Sequence, residues 1–264
     1  MSKMHFISGM PRSGSTLLCN ILSQNPRFRA TGTSPLPQLL ATTSQVWNNS
    51  NECKANYTDD DKFHCLRNIM DNYHLPFDSE VVFDKSRAWP ANIELLTEIL
   101  GEKPKILTCI RYMPAVASSF EKIWRKEIVK FGGIPEGMTT IEDRLKFWTD
   151  KKSILGSSYY VLQDAVQRGH RDCMHLVGFQ NLTVYPKQTL EGIHDFLEEP
   201  WFEYDFDNVE QVIHEKDEFH GFSKDSLHKI RSNVAPVKPD FLEIIGEDMT
   251  KQLEEAFDYK FFAQ

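Results

Sequence analysis

The sequence predicts an α/β fold, a single doubly wound domain over residues 1–264 with a central parallel sheet and helical insertions. Three observations predict it. Short apolar runs rich in β-branched residues recur at His5–Ser8, Val81–Phe83, Ile106–Ile110 and His175–Gly178. Helix-period patterns separate them, and strands that alternate with helices pair in parallel. At 264 residues the chain is long enough to bury a substantial core, and no composition shift marks an internal boundary.

In chain order, Phe6 and Ile7 close the first strand, Gly9–Gly14 form a loop of small residues, and Ser15–Ser23 continue as a helix. Helices over Pro37–Trp47 and Asp59–Tyr73 precede the second strand. Those at Pro90–Leu100 and Pro114–Val129 each begin with a proline, whose missing N–H is harmless in the first turn. Thr139 and Glu142 have the spacing of a capping box and open a long pattern, Ile141–Gln167, with a break expected near Gly156. Helices at Lys187–Leu197 and Asp240–Phe257 complete the set. Between them, Phe131–Thr139 is the most glycine-rich loop; such loops close over a site in some enzymes and only connect in others. The segment Val212–Pro239 is polar, rich in His, Lys, Ser and Pro, and has no assigned element.

A net charge of −8 opposes general binding to nucleic acid, to anionic lipid or to a polyanionic acceptor, while leaving room for a local basic pocket. The five cysteines stand singly, without a CxxC pair, so neither a disulfide framework nor a zinc site is expected. There is no charged leader with an apolar core and no apolar run of membrane-spanning length. A reducing, cytoplasmic setting is the expectation.

The stretch Gly9-Met-Pro11-Arg12-Ser13-Gly14-Ser15-Thr16 reads as a P-loop-like phosphate-binding strand–loop–helix. A helix N-terminus offers free backbone N–H groups and the positive end of a dipole. Gly9, Gly14 and Thr16 match the GxxxxGK[ST] pattern, but its lysine slot holds Ser15. That lysine reaches the β- and γ-phosphates in triphosphatases, so its loss argues against triphosphate hydrolysis. Arg12 supplies positive charge inside the loop and can fork onto phosphate or sulfate oxygens. A tight glycine turn with no ligand accounts for the glycines, but not for Arg12, Ser13, Ser15 and Thr16 gathered at one point.

A second anion site follows. Strand Ile106–Ile110 ends in Arg111, and the helix from Pro114 brings Ser119 back beside it if Tyr112–Pro114 bends tightly. Two separated anion sites imply a nucleotide with two anionic ends.

Together these residues resemble the PAPS-dependent sulfotransferases, PAPS being 3′-phosphoadenosine 5′-phosphosulfate. The loop is similar to that family's 5′-phosphosulfate loop, closest to the tyrosylprotein and carbohydrate branches; Arg111 and Ser119 match its 3′-phosphate motif; Asp84-Lys85-Ser86 is similar to the motif that sets a second cation beside the bridging oxygen. Ile230-Arg231-Ser232 resembles a late nucleotide-contacting segment and implicates Ser232. The resemblance implies a PAPS-dependent sulfotransferase that moves a sulfuryl group in line to a hydroxyl or amine acceptor without a metal, and it allows a homodimer. The net charge favours a small-molecule acceptor.

Two departures stand out. Where relatives carry a catalytic glutamate, roughly twenty residues past Arg12, this chain reads Thr31-Gly-Thr-Ser-Pro35. Val177-Gly-Phe179-Gln-Asn-Leu182 replaces a Tyr-Glu-x-Leu pattern, so Phe179 keeps packing and loses a hydroxyl.

The implied roles are then specific. Arg12 and Lys85 stabilise the departing 5′-phosphate, N–H groups from Ser13 to Thr16 hold it, and Arg111 with Ser119 takes the 3′-phosphate. Asp84 either receives the acceptor's proton or neutralises Lys85, with His5, His64 and His74 as weaker bases. Arg87 and Arg125 are further cations, and Trp47, Trp89 and Trp148 line either the core or an acceptor pocket. Two alternatives stay open: a P-loop kinase using ATP and magnesium, and a protein that binds PAPS or its bisphosphate product, PAP, without catalysis.

Overall fold

The structure is a computed structural model that describes residues 2–74, 79–127, 137–220, 222–223 and 227–258. Its centre is a five-stranded, all-parallel sheet of β1 (Lys3–Gly9), β2 (Phe28–Thr33), β3 (Val81–Lys85), β4 (Ile106–Ile110) and β5 (Met174–Gly178), in the order β2-β3-β1-β4-β5. The helices are α1 (Ser15–Leu22), α2 (Leu36–Asn49), α3 (Asn51–Asn56), α4 (Asp59–Tyr73), α5 (Ile93–Leu100), α6 (Met113–Glu127), α7 (Ile141–Thr149), α8 (Ile154–Gln167), α9 (Phe179–Val184), α10 (Pro186–Leu197) and α11 (Phe241–Ala256).

Strand alternation explains why the sheet is covered on both faces. Phe6 of β1, with Ile106 and Ile110 of β4, enters one core with α2, α4, α5, α6 and α8. Ile7, Leu107 and Cys109 point the other way, into a second core with α1, α9 and α10. This is the doubly wound arrangement. β1 leads leftward to β2 and β4 rightward to β5, so the crevice where ligands bind such folds lies between the carboxyl ends of β1 and β4.

The expected strands are present, Ile106–Ile110 with its expected bounds and the other three longer by one or two residues at one or both ends, and Asp59–Tyr73 is helical over its full expected span. Four details differ. β2 has no counterpart in the sequence reading: it is an edge strand whose ladder shifts between Ala30 and Thr33 and which buries only Phe28 and Ala30 well. The capping box sits one residue later than expected, Thr140 Oγ1 accepting from the Asp143 N–H while Asp143 accepts from the Thr140 N–H. The break in Ile141–Gln167 falls at residues 150–153, not at Gly156. Gly156 instead allows α8 to meet the end of α7, because a Cβ there would lie 2.1 Å from the Asp150 carbonyl oxygen. Short α3 and α9 were also not expected.

Trp89 and Trp148 are core residues, whereas Trp47 is half-buried against Tyr57 on a groove with His64 and Ile69. Most of Phe131–Thr139 lies outside the described residues. Among the described residues no helix is long and apolar enough to cross a membrane.

The polar segment before α11 forms two arms that run together. Val209 donates its N–H to the Ser232 carbonyl at 2.5 Å and Val234 donates to Phe206 at 2.7 Å. The buried Asn20 of α1 pins the first arm, its Oδ1 accepting from Val212 at 2.7 Å and Ile213 at 3.0 Å. Gln211 links the arms by donating to the His228 carbonyl at 3.1 Å.

Candidate active site

Three neighbouring strands, β3, β1 and β4, each release a cation at the carboxyl edge of the sheet: Lys85, Arg12 and Arg111. The loop after β1 requires its first glycine. Gly9 has φ +133°, and a Cβ would lie 2.0 Å from the Cys109 oxygen of β4. Arg12 itself adopts φ +59°, a left-handed conformation that is costly for a residue with a Cβ and recurs at ligand-binding sites. Gly14 then caps α1 with φ 90° and no side-chain hydrogen bond, and no acidic residue occupies the first turn. The first-turn N–H groups therefore face the loop uncapped, an anion cradle.

The loop side chains divide by role. The buried Ser13 donates its hydroxyl to the Met10 carbonyl, so it closes the turn and leaves only its N–H for a ligand. This corrects the expectation of four converging side chains. Ser15 and Thr16 are half-buried, and among the described residues their hydroxyls have no protein partner. Pro11 holds the turn between Met10 and Arg12.

The two expected anion sites join. Arg12 Nε donates to Ser119 Oγ at 3.2 Å, and Arg111 Nη1 donates to the Arg12 carbonyl at 2.9 Å. The Arg111 guanidinium lies 4.2 Å over the Phe179 ring, and the same ring packs on Gly14, where a Cβ would lie 2.8 Å from Cδ2. Phe179 thus supports both the loop and the second arginine, a cation–π contact of about 0.5–2 kcal/mol.

The electrostatics are unfavourable as they stand. Burial lowers the Arg12 guanidinium from its ordinary value, against the opposing field of Asp217. Burial and then the charge of Arg12 lower Arg111 to about 10. Among the described residues neither arginine has a salt bridge to a carboxylate, and Arg12 Nη1 donates instead to the Leu227 carbonyl of the second arm. Two desolvated like charges side by side favour a bound anion between them.

Lys85 differs. Its ammonium is buried and paired with Glu215 of the first arm, the two side chains being 7% and 8% exposed. Burial pushes the Glu215 carboxyl up, but the field of Lys85, its hydrogen bond and one from Thr33 outweigh that, and it lies below the usual carboxylate range. Glu215 Oε2 is 3.6 Å from His228 Nε2, and His228 Nδ1 is 2.5 Å from Asp217 Oδ1. Asp217 is fully buried and also accepts from the Leu227 N–H at 2.7 Å.

Asp84 does not join this cluster, which corrects both of its expected roles. In β3 it pairs in register with Phe6 while Lys85 pairs with Ile7, so the two side chains leave opposite faces. Its carboxylate accepts from Trp89 Nε1 at 2.9 Å and lies 3.1 Å from His74 Nε2, fully buried. Glu215 is the carboxylate at Lys85. His5 lies at the amino edge of the sheet and His64 on α4, both away from the loop. Ser232 is exposed and held through its carbonyl to Val209; among the described residues its hydroxyl has no partner in the loop. Arg125 pairs with Glu121 at 2.7 Å, whereas Arg87 is exposed at the strand end within the field of Glu215.

Glu215, Asp217 and His228 escaped the sequence reading. Their segment has no periodicity, and the one available cue was its histidine and carboxylate content.

A family model described as the sulfotransferase family matches residues 5–203. Solved structures share the fold at low identity. The sulfotransferase domain from the curacin biosynthetic pathway has a TM-score of 0.51 and 15% identity, with 98% of each chain covered. That from the Synechococcus PCC 7002 olefin synthase has 0.50 and 20%, covering 98% of this chain and 95% of the other. Mouse sulfotransferase SULT7A1 complexed with PAP has 0.50 and 13%, covering 96% and 88%. No curated protein matches the sequence.

Proposed function

The chain belongs to the sulfotransferase family, and from that premise we propose that it transfers the sulfuryl group of PAPS to a hydroxyl or amine acceptor, a small molecule before a polyanion. One observation carries the reading: Arg12 and Arg111 lie together, desolvated and, among the described residues, without a carboxylate partner, between an uncapped helix N-terminus and Ser119. A nucleotide with phosphates at both its 3′ and 5′ positions matches that strip. PAP is bound in the mouse relative and in retinol dehydratase, whose structure holds retinol and PAP at a TM-score of 0.50.

In the proposed reaction the loop N–H groups from Ser13 to Thr16 hold the 5′-phosphate, with Gly9, Pro11 and Gly14 shaping the turn. Arg111 and Ser119 take the 3′-phosphate. Arg12 and Lys85 neutralise charge on the bridging oxygen as the sulfur–oxygen bond breaks, the largest contribution such a site makes. The buried cations supply this without a metal. Ser232 enters only if the second arm shifts when the nucleotide binds.

The test is PAP release from PAPS in EDTA across phenols, alcohols and amines. The proposal expects acceptor-dependent release that survives EDTA. Tight PAP binding with no release from any acceptor or from water would instead establish a binding protein without catalysis.

A further inference from the structure

In-line sulfuryl transfer to a neutral hydroxyl leaves a proton to be removed beside the cation that faces the leaving oxygen. The loop and the ends of β1 and β4 offer no carboxylate there, and Asp84 is tied beneath the sheet by Trp89 and His74. The end of β2 reads Thr31-Gly32-Thr33, also without one. Glu215 lies directly over that strand end. A Cβ built on Gly32 would be 3.0 Å from Glu215 Cγ, and the Thr33 hydroxyl and the Lys85 ammonium both bond its carboxylate.

We propose that Glu215, delivered by the arm that Asn20 pins to α1, is the general base that accepts the acceptor's proton, a role that rests on the sulfuryl-transfer reading of this site. Among the described residues it is the one carboxylate in ion-pair contact with any of Arg12, Lys85 and Arg111. Its side chain is excluded from bulk water, and Lys85 keeps it ionised at neutral pH. The balance is simple. The acceptor O–H bond breaks as its proton moves to a Glu215 oxygen, the acceptor oxygen bonds to sulfur, and the donor's sulfur–oxygen bond breaks with its electron pair left on the 5′-phosphate beside Lys85 and Arg12. His228, 3.6 Å from Oε2 and held by Asp217, lies where it can relay the proton outward.

The experiment uses the full chain, PAPS as donor and water as the acceptor. PAP release is measured for the wild type, Glu215→Gln, Glu215→Ala and His228→Gln, with PAP affinity measured by calorimetry on each. Release should fall at least about tenfold in both Glu215 variants while PAP affinity stays the same or tightens. Formate should restore release to Glu215→Ala, an effect that a merely structural role would not give. Release by Glu215→Gln close to wild type, a loss that follows PAP affinity, or a loss confined to His228→Gln would overturn the assignment. A wild type that binds PAP but never releases it from PAPS, whether with water or with any of the phenols, alcohols and amines named above, would contradict the sulfuryl-transfer reading itself.

Discussion

Arg12 and Arg111 share one carbonyl-linked strip, and each is destabilised by burial, Arg111 further by its neighbour. A ligand with anionic groups at that strip relieves both costs at once. Lys85 is set apart because its partner, Glu215, is already present. At this scale the roles separate cleanly by substitution. Arg12→Ala and Lys85→Ala should each lower PAPS turnover by about 10²–10³, the size expected for losing a preorganised charge at a leaving oxygen. Asp84→Asn should leave PAP affinity nearly unchanged and lower the melting temperature, because Asp84 holds Trp89 and His74 inside the core. A turnover loss for Asp84→Asn as large as that for Lys85→Ala, at equal folded fraction, would return Asp84 to the chemistry.

The elements differ in how openly the sequence displays them. The strand, loop and helix around Gly9–Leu18 are local: apolar residues, small loop residues and an uncapped helix start occur in one run, and Arg12 is part of it. Arg111 and Ser119 are nearly as local, one strand end and the following helix. β2 hides because an edge strand with a ladder shift buries few residues and shows little alternation. The two arms hide more completely. Glu215 meets Lys85 across 130 positions of sequence, and what brings it there is a side chain on α1 rather than any periodic pattern of its own. The arm's dependence on Asn20 is testable. Asn20→Ala removes the acceptor for two backbone N–H groups, of which Ile213 is buried, at a cost of about 1–3 kcal/mol. Hydrogen exchange at Val212 and Ile213 should quicken while exchange in β1 and β4 does not. Unchanged protection at both amides would show that the arm is held elsewhere.

Across the whole molecule, the two edges of the sheet do different work. The carboxyl edge gathers the cations Lys85, Arg12 and Arg111, the proposed ligand site; the amino edge is stitched by Lys3 with Glu199 at 2.9 Å and Arg27 with Glu80 at 2.7 Å. His5 lies buried in β1, 3.9 Å from Glu199. Burial, and then Lys3, lower its pKa from 6.5 to about 4. The folded state therefore binds fewer protons at His5 than the unfolded chain does between those values, so its contribution is present above pH 6.5 and is lost as pH falls toward 4. Acid unfolding should begin in that window, and His5→Leu should flatten it; a melting temperature as steeply pH-dependent in His5→Leu as in the wild type would contradict this. The central claim, that the carboxyl edge is a metal-free site for a nucleotide phosphorylated at both 3′ and 5′, is tested most directly by calorimetric titration in EDTA with PAP, compared with ATP plus magnesium. The account predicts saturable PAP binding that Arg111→Ala weakens and no comparable binding of ATP with magnesium. Binding of ATP with magnesium alone, or PAP binding indifferent to Arg111, would contradict it.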